Sequence, residues 1–323
     1  MGIKHSFTSG KSDGADATLV RPSNWNANHT IDSEVTFPAV ASPATPSTGN
    51  FNLYGKTFAN RTMPTIIGAS GMDYALQPST WRQKIGWWLP PGNATTVPAV
   101  TGLGTLTATG TATARNVATT NLFTRTRRLG YVSAATAGSL TGIRGPAAQF
   151  TTGDGAGLGG FFTSIRFGIS DAAAVTGART FVGMSSATGA PTNVEPNTLT
   201  NSIGIAQLST DSTQLYIVYG GSAAQTAIAL GTNFPPMAGV GVTNGITYDL
   251  TLFAPPNSNG VVYYYVERVG TAFTASGTLT PAVVGTQTPA STTLLTHQIW
   301  RSNNATALAV GIDVVNIYIE TDY

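Results

Sequence analysis

AVGIDVVNIYIE, residues 309–320, decides the fold class. Val310, Ile312 and Val314 recur at every second position, which puts them on one face of a strand. Beyond them Ile317 and Ile319 fall in step with Val315 instead. A strand absorbs such a change of parity with one extra residue, so a bulge is expected near Val314–Val315. The same period of two runs through SIRFGI (164–169), where Ile165, Phe167 and Ile169 oppose Ser164 and Arg166. YDLTLF (248–253) aligns Tyr248, Leu250 and Leu252, and TLTATGTATA (105–114) alternates Thr with small apolar residues. VVYYYVER (261–268) is dense in β-branched and aromatic residues, and its consecutive Tyr263, Tyr264 and Tyr265 must alternate between faces. Turn clusters GDGAGLGG, PNSNG, TPASTT and RSNNAT separate these runs. About ten short strands without intervening helices predict an all-β, jelly-roll-like β-sandwich over residues 101–323.

Composition agrees. Of 323 residues only 9% are charged, against roughly 25% in an ordinary domain, while 41% are hydrophobic and 37 are Gly. Disorder needs low hydrophobicity and high net charge, and neither is present. The net charge of +2 is too small for a general nucleic-acid binder. The absence of Cys excludes a disulfide scaffold, Cys-ligated zinc and a Cys nucleophile. No 18-residue apolar run is present, so no membrane insertion is expected. MGIKHSFTSGKSDG lacks the apolar core of an export signal.

Ahead of the sandwich the chain changes character twice. Residues 1–33 are polar with spaced anchors, among them Phe7, Leu19 and Trp25, and keep no period of 3.6 or 2. They read as an extended arm ordered by a partner. Residues 34–100 read as a linker and Trp-rich connector, starting with the Pro/Ser/Thr stretch PAVASPATPSTGN (38–50). Pro78, Ser79 and Thr80 ahead of WRQKIGWW predict a short helix capped by Ser79 or Thr80 and stopped by Pro90 and Pro91.

Motifs that carry chemistry are few. Gly155, Gly157 and Gly160 match G-x-G-x-x-G, but the strand FFTSIRFGI follows where a dinucleotide site needs a helix, so a turn is expected. Sequons begin at Asn28, Asn60, Asn93 and Asn304, a number that chance explains in a chain this rich in Asn and Thr. Arg82, Lys84, Arg115, Arg125, Arg127, Arg128 and Arg144 occupy a stretch with no acid between Asp73 and Asp154. They suit an acidic polysaccharide or protein partner, or else guard an edge strand. A Ser–His–Asp triad has one realistic histidine, His297 mid-strand, with no G-x-S-x-G elbow. Asp154, Asp171, Glu195, Asp211, Asp249, Glu267, Asp313, Glu320 and Asp322 are scattered singly, whereas glycosidases need two facing carboxylates. No enzyme, cofactor or metal site is expected. Trp300, Arg301, Asn303 and Asn304 join an aromatic, a guanidinium and two amides at a strand end, a set suited to a receptor glycan, or else to a core or subunit interface.

Three blocks resemble virion appendage proteins of tailed bacteriophages: HSFTSGKSDGADATLVRPSNWNANHTI (5–31), a stretch opening RTFVGMSSATGAPTNVEPNTLTNSIGIA (from 179), and IDVVNIYIETDY (312–323). The first is similar to the N-terminal anchor peptide of tail-fibre and tailspike-type proteins, the others to a C-terminal β-domain of such fibres. The resemblance implies a homotrimer assembled in the host cytoplasm and located in the virion. Its arm, with Phe7, Leu19, Arg21 and Trp25, would join other virion proteins of the tail, portal region or capsid. Its sandwich would adhere to a host surface glycan. A purely structural capsid or collar fibre is the alternative. A glycan-cleaving spike comes third, because no long β-helix separates arm from C-terminal domain.

Overall fold

The computed structural model describes residues 12, 14–15, 36–41, 43–47, 50–68, 73–75, 84–93, 95, 99–100 and 103–321. The anchor residues Phe7, Leu19, Arg21 and Trp25 lie outside these, as do Ser79 and Thr80. The chain divides into two compact units, residues 1–57 with 62–76 and residues 58–61 with 77–323. The first holds a three-stranded sheet of β1 (Phe51–Phe58), β2 (Arg61–Gly68) and β3 (Asp73–Ala75), in that order. Ala59 and Asn60, both at left-handed φ (45° and 60°), make the two-residue connection between β1 and β2.

The second unit is a two-sheet antiparallel sandwich. Its strands are β4 (Lys84–Trp88), β5 (Ala99–Val100), β6 (Gly104–Thr105), β7 (Thr107–Thr109), β8 (Thr111–Ala114), β9 (Leu129–Val132), β10 (Leu140–Arg144), β11 (Phe161–Ile169), β12 (Arg179–Ser185), β13 (Ser202–Gln207), β14 (Tyr216–Gly220), β15 (Ile228–Ala229), β16 (Tyr248–Ala254), β17 (Val262–Arg268), β18 (Thr274–Leu279), β19 (Thr296–Ser302) and β20 (Gly311–Thr321). One sheet has seven strands in the order β15-β14-β13-β12-β19-β10-β7. The other has eight, β18-β17-β16-β11-β20-β9-β8, with β4 also on β20, while β5 and β6 pair in a separate two-stranded sheet. Neighbours distant in sequence, such as β12 beside β19 and β11 beside β20, give the jelly-roll-like connectivity.

Alternation builds the core. Ile143, Val182, Ile205, Ile217 and Ile299 from the seven-stranded sheet meet Ile165, Phe167, Leu250, Val266 and Ile317 from the other in one apolar cluster. The bulge falls where the change of parity places it. Arg166 stands opposite Asn316 and Phe167 opposite Val314, which leaves Val315 as the extra residue. Ile312, Val314, Ile317 and Ile319 consequently all reach the core.

Three expectations need correction. Lys84–Trp88 is a strand, not part of a helix: paired to β20, it sends Trp88 into the core and Trp87 outward. Aromatic residues suit a half-buried pleated surface, and the edge of β20 supplies the backbone partners. The sandwich therefore takes in residues ahead of position 101, inside the expected connector. TLTATGTATA is two strands rather than one. Gly110, at φ 75°, turns the chain so that β7 joins one sheet and β8 the other. Among the described residues the one α-helix is α1 (Leu122–Arg125), capped by Asn121, whose Oδ1 accepts the Thr124 amide at 2.9 Å.

The reading of the glycine-rich motif agrees with the structure. The glycine-rich segment is a turn, in which Asp154 Oδ1 accepts the amides of Ala156 (2.7 Å) and Leu158 (3.0 Å). Asn60, Asn93 and Asn304 occupy left-handed turn positions, with φ from 49° to 60°, where Asn is tolerated.

Candidate functional site

The eight-stranded sheet turns every second side chain away from the core, and strand register sorts these into three rungs. The middle rung reads Tyr265, Thr251, Ser164, Tyr318, Trp87 across β17, β16, β11, β20 and β4. The next reads Glu267, Asp249, Arg166, Asn316. The third reads Tyr263, Phe253, Phe162, Glu320. Tyr264 faces the core between its two outward neighbours, as consecutive tyrosines on a strand require.

The middle rung carries rings at both ends, with the half-buried Ser164 and the buried Thr251 between them. Trp87 is 55% exposed, and its Nε1 donates to Asn316 Oδ1 at 3.1 Å, which fixes the indole against the sheet. Tyr318 and Tyr265 are half-buried and stand three strand spacings apart, about 14 Å. Burial, with Glu267 and Asp249 beside it, pushes the Tyr265 phenol up to about 12, so it remains a hydrogen-bond donor at any physiological pH. The adjoining rung is charged and rigid. Arg166 Nε donates to Asp249 Oδ1 at 2.7 Å and Nη2 to Oδ2 at 2.6 Å, a two-pronged pair that raises the guanidinium pKa. The third rung is partly roofed by the turn Phe58–Arg61, which belongs to this unit. Arg61 lies over the Phe162 ring (4.8 Å) and pairs with Glu320, and Phe58 meets Tyr265 edge-on at 5.8 Å.

The residues expected to meet a receptor lie elsewhere, and the structure buries most of them. Trp300 is 1% exposed on the far face of the seven-stranded sheet, against Phe181 at 6.2 Å, with Val218 and Leu208 in the same cluster and Leu199 packed on it. Arg301 is claimed from the opposite sheet. Its Nε donates to Asp171 Oδ1 (2.8 Å), Nη2 to Asp171 Oδ2 (2.5 Å), and Nη1 to Thr180 and Gln207. Asn303 is fully buried, with Nδ2 donating to the carbonyls of Thr136 (2.8 Å) and Leu308 (2.9 Å). Asn304 is a half-buried turn residue. Burial thus removes Trp300, Arg301 and Asn303 as a receptor surface.

The acids also have structural tasks. Asp171 and Asp313 take arginines, Glu195 takes Arg179 (2.7 Å) and the Ser209 amide, and Asp211 is held low by its bonds to Thr213, Tyr216 and Gln214. Asp322 lies outside the described residues. Asp249 and Glu267 do stand together as cross-strand neighbours. His297 is wholly buried beside Thr163 (2.9 Å), and burial pushes its imidazole down to about 3, so it stays neutral. The basic stretch is dispersed: Arg115 and Arg128 converge on Asp313, while Arg144 bonds Thr188 and Arg125 bonds Thr119. Arg82 lies outside the described residues. Among the described residues no group of three or more His, Asp or Glu side chains could hold a metal, and no helix is long and apolar enough to cross a membrane.

The sequence reading missed Trp87, Tyr318, Asn316 and the Arg166–Asp249 pair as a set. Alternation gave the outward direction of Arg166, Asp249, Asn316 and Tyr318, but only strand order makes them neighbours, and Trp87 stood on an expected helix.

No protein-family model and no curated protein matches the chain. Among solved structures it is similar to lectin II from Ulex europaeus, at 12% identity and TM-score 0.44, over 74% of this chain and 98% of that one. It is also similar to the carbohydrate recognition domain of Emp47p (10% identity, TM-score 0.44, 73% and 94% covered). A third similarity is to a carbohydrate esterase from the Shiga toxin-encoding bacteriophage phi24B (16% identity, TM-score 0.38, 68% and 90% covered). At these values the likenesses say nothing of this chain's ligand.

Proposed function

We propose that the protein is a bacteriophage virion appendage that adheres to a host surface glycan through the outer face of the eight-stranded sheet. The sequence blocks resembling phage fibres support the virion location, anchorage through residues 1–33 and a homotrimer. The observation that carries adhesion is the middle rung: an exposed indole and two half-buried tyrosines flanking the half-buried Ser164, with an acid–guanidinium–amide rung alongside. A sugar ring offers an apolar C–H face and a rim of hydroxyls. The rings suit the first, and the carboxylates, guanidinium and amide suit the second.

Binding without cleavage is the better reading of the Asp249–Glu267 pair. Arg166 donates to both Asp249 oxygens, which ties that carboxylate into the sheet as a hydrogen-bonding group instead of leaving it poised as a nucleophile or proton donor. The test is particle adsorption to host cells with Trp87→Ala. Adsorption should fall at least about tenfold, the effect of losing a contact of about 1.4 kcal/mol, with the thermal midpoint unchanged. Unchanged adsorption would refute the face as the adhesive surface.

A further inference from the structure

A second feature of the eight-stranded sheet lies at the end of β8, one rung beyond Arg166 and Asn316. Arg115 follows β8, Arg128 precedes β9, Asp313 sits on β20 and Ser170 follows β11; these four strands are adjacent in the order β11-β20-β9-β8. Asp313 is fully buried and accepts Arg115 Nε (3.1 Å to each oxygen), Arg128 Nε (2.9 Å) and Ser170 Oγ (2.6 Å). Two guanidinium groups therefore share one carboxylate, and one positive charge is left over. Arg128 is locked, with Nη1 on the Thr124 and Thr126 carbonyls and its guanidinium 4.5 Å from the Phe123 ring.

The surplus charge borders a cavity of about 360 Å³, walled by Arg115, Arg128, Phe123 and Val242, with the exposed Asn116 beside Arg115. The Arg115 side chain keeps 23% of its surface open, and its Nη1 bonds no described residue. Asp313 is the one acid in the lining.

We infer that this cavity is a subsite for the carboxylate of an acidic sugar. The lone surplus charge balances a singly ionised carboxylate, and the free Nη1 offers it a charge-assisted bond in a partly dry setting. The exposed Val242 gives apolar wall for the ring that bears the acid, and Asn116 a partner for its hydroxyls. The sugar as source of the anion rests on the adhesive reading above; the anion preference itself rests on the arginines.

Titration calorimetry on the full chain tests it, using a galacturonate oligomer, the neutral galactose oligomer of equal length and inorganic phosphate. The acidic oligomer should bind at least about tenfold more tightly than the neutral one, with the advantage shrinking as salt rises. Arg115→Gln should abolish that advantage. Asn116→Asp should do the same by repulsion, without touching the bonds to Asp313. Trp87→Ala should weaken both oligomers alike. Equal binding of the two oligomers by the parent would overturn the subsite and leave the adhesive face standing, whereas binding of neither would overturn both. An acidic preference that survives Arg115→Gln and Asn116→Asp, or phosphate binding as tight as the acidic oligomer, would also overturn the subsite.

Discussion

Asp171→Asn should destabilise this sandwich by about 3–5 kcal/mol. Asp171 follows β11 on one sheet, and Arg301 sits on β19 of the other. Their side chains are 0% and 2% exposed, so water does not screen the pair. Two bonds of 2.8 and 2.5 Å join them, and Asp171 Oδ1 also accepts the Gly311 amide at 2.8 Å, tying in β20. Asparagine keeps an acceptor for Gly311 but strands a buried guanidinium facing an amide. Breaking a buried pair from one side costs about 3–5 kcal/mol, most of it from the charge left unpaired. Urea unfolding at pH 7 should register that loss as a lower midpoint. The companion Asp171→Asn/Arg301→Met removes the stranded charge and should recover a good part of it. A loss below about 1 kcal/mol in the single variant, or a double variant worse than the single, would refute the staple.

Trp300→Ala should cost about 3–5 kcal/mol in urea unfolding and leave adsorption per folded particle unchanged; near-normal stability would contradict its burial. Because His297 is neutral when folded, the unfolded chain takes up a proton that the folded one refuses between about pH 6.5 and 3. Its contribution is complete above pH 6.5 and falls by up to about 1.4 kcal/mol per pH unit below it. His297→Gln should flatten that slope in unfolding measured from pH 7 to 4, and an identical slope would refute it. Sedimentation equilibrium of the full chain should give a mass of three chains, and a monomer would refute the trimer.

The sandwich was legible because its signal is local. Period-two alternation needs only neighbouring residues, and so does the change of parity at Val315. The site was less legible because it is made by order across the sheet. Ser164 and Arg166 showed as outward-facing in the sequence, yet Tyr318 and Trp87 become their companions only through pairing across β20, more than 150 residues away in the chain. Trp300 misled for the same reason. Its polar company resembled a binding loop until Asp171, from the other sheet, took the guanidinium beside it. WRQKIGWW misled through its flanking prolines and cap residues, which mark a helix locally but do not weigh an open strand edge. Gly110 hid a change of sheet inside an unbroken alternation.

The most direct test of the adhesive face is a crystal structure of the full chain soaked with an oligosaccharide of the host surface. The account predicts a sugar ring stacked on Trp87, its neighbours running over Tyr318 and Ser164, with hydroxyls bonded to Asn316 or to the Arg166–Asp249 rung. Sugar bound only at another surface, or Trp87 covered by a second copy of the chain, would contradict it.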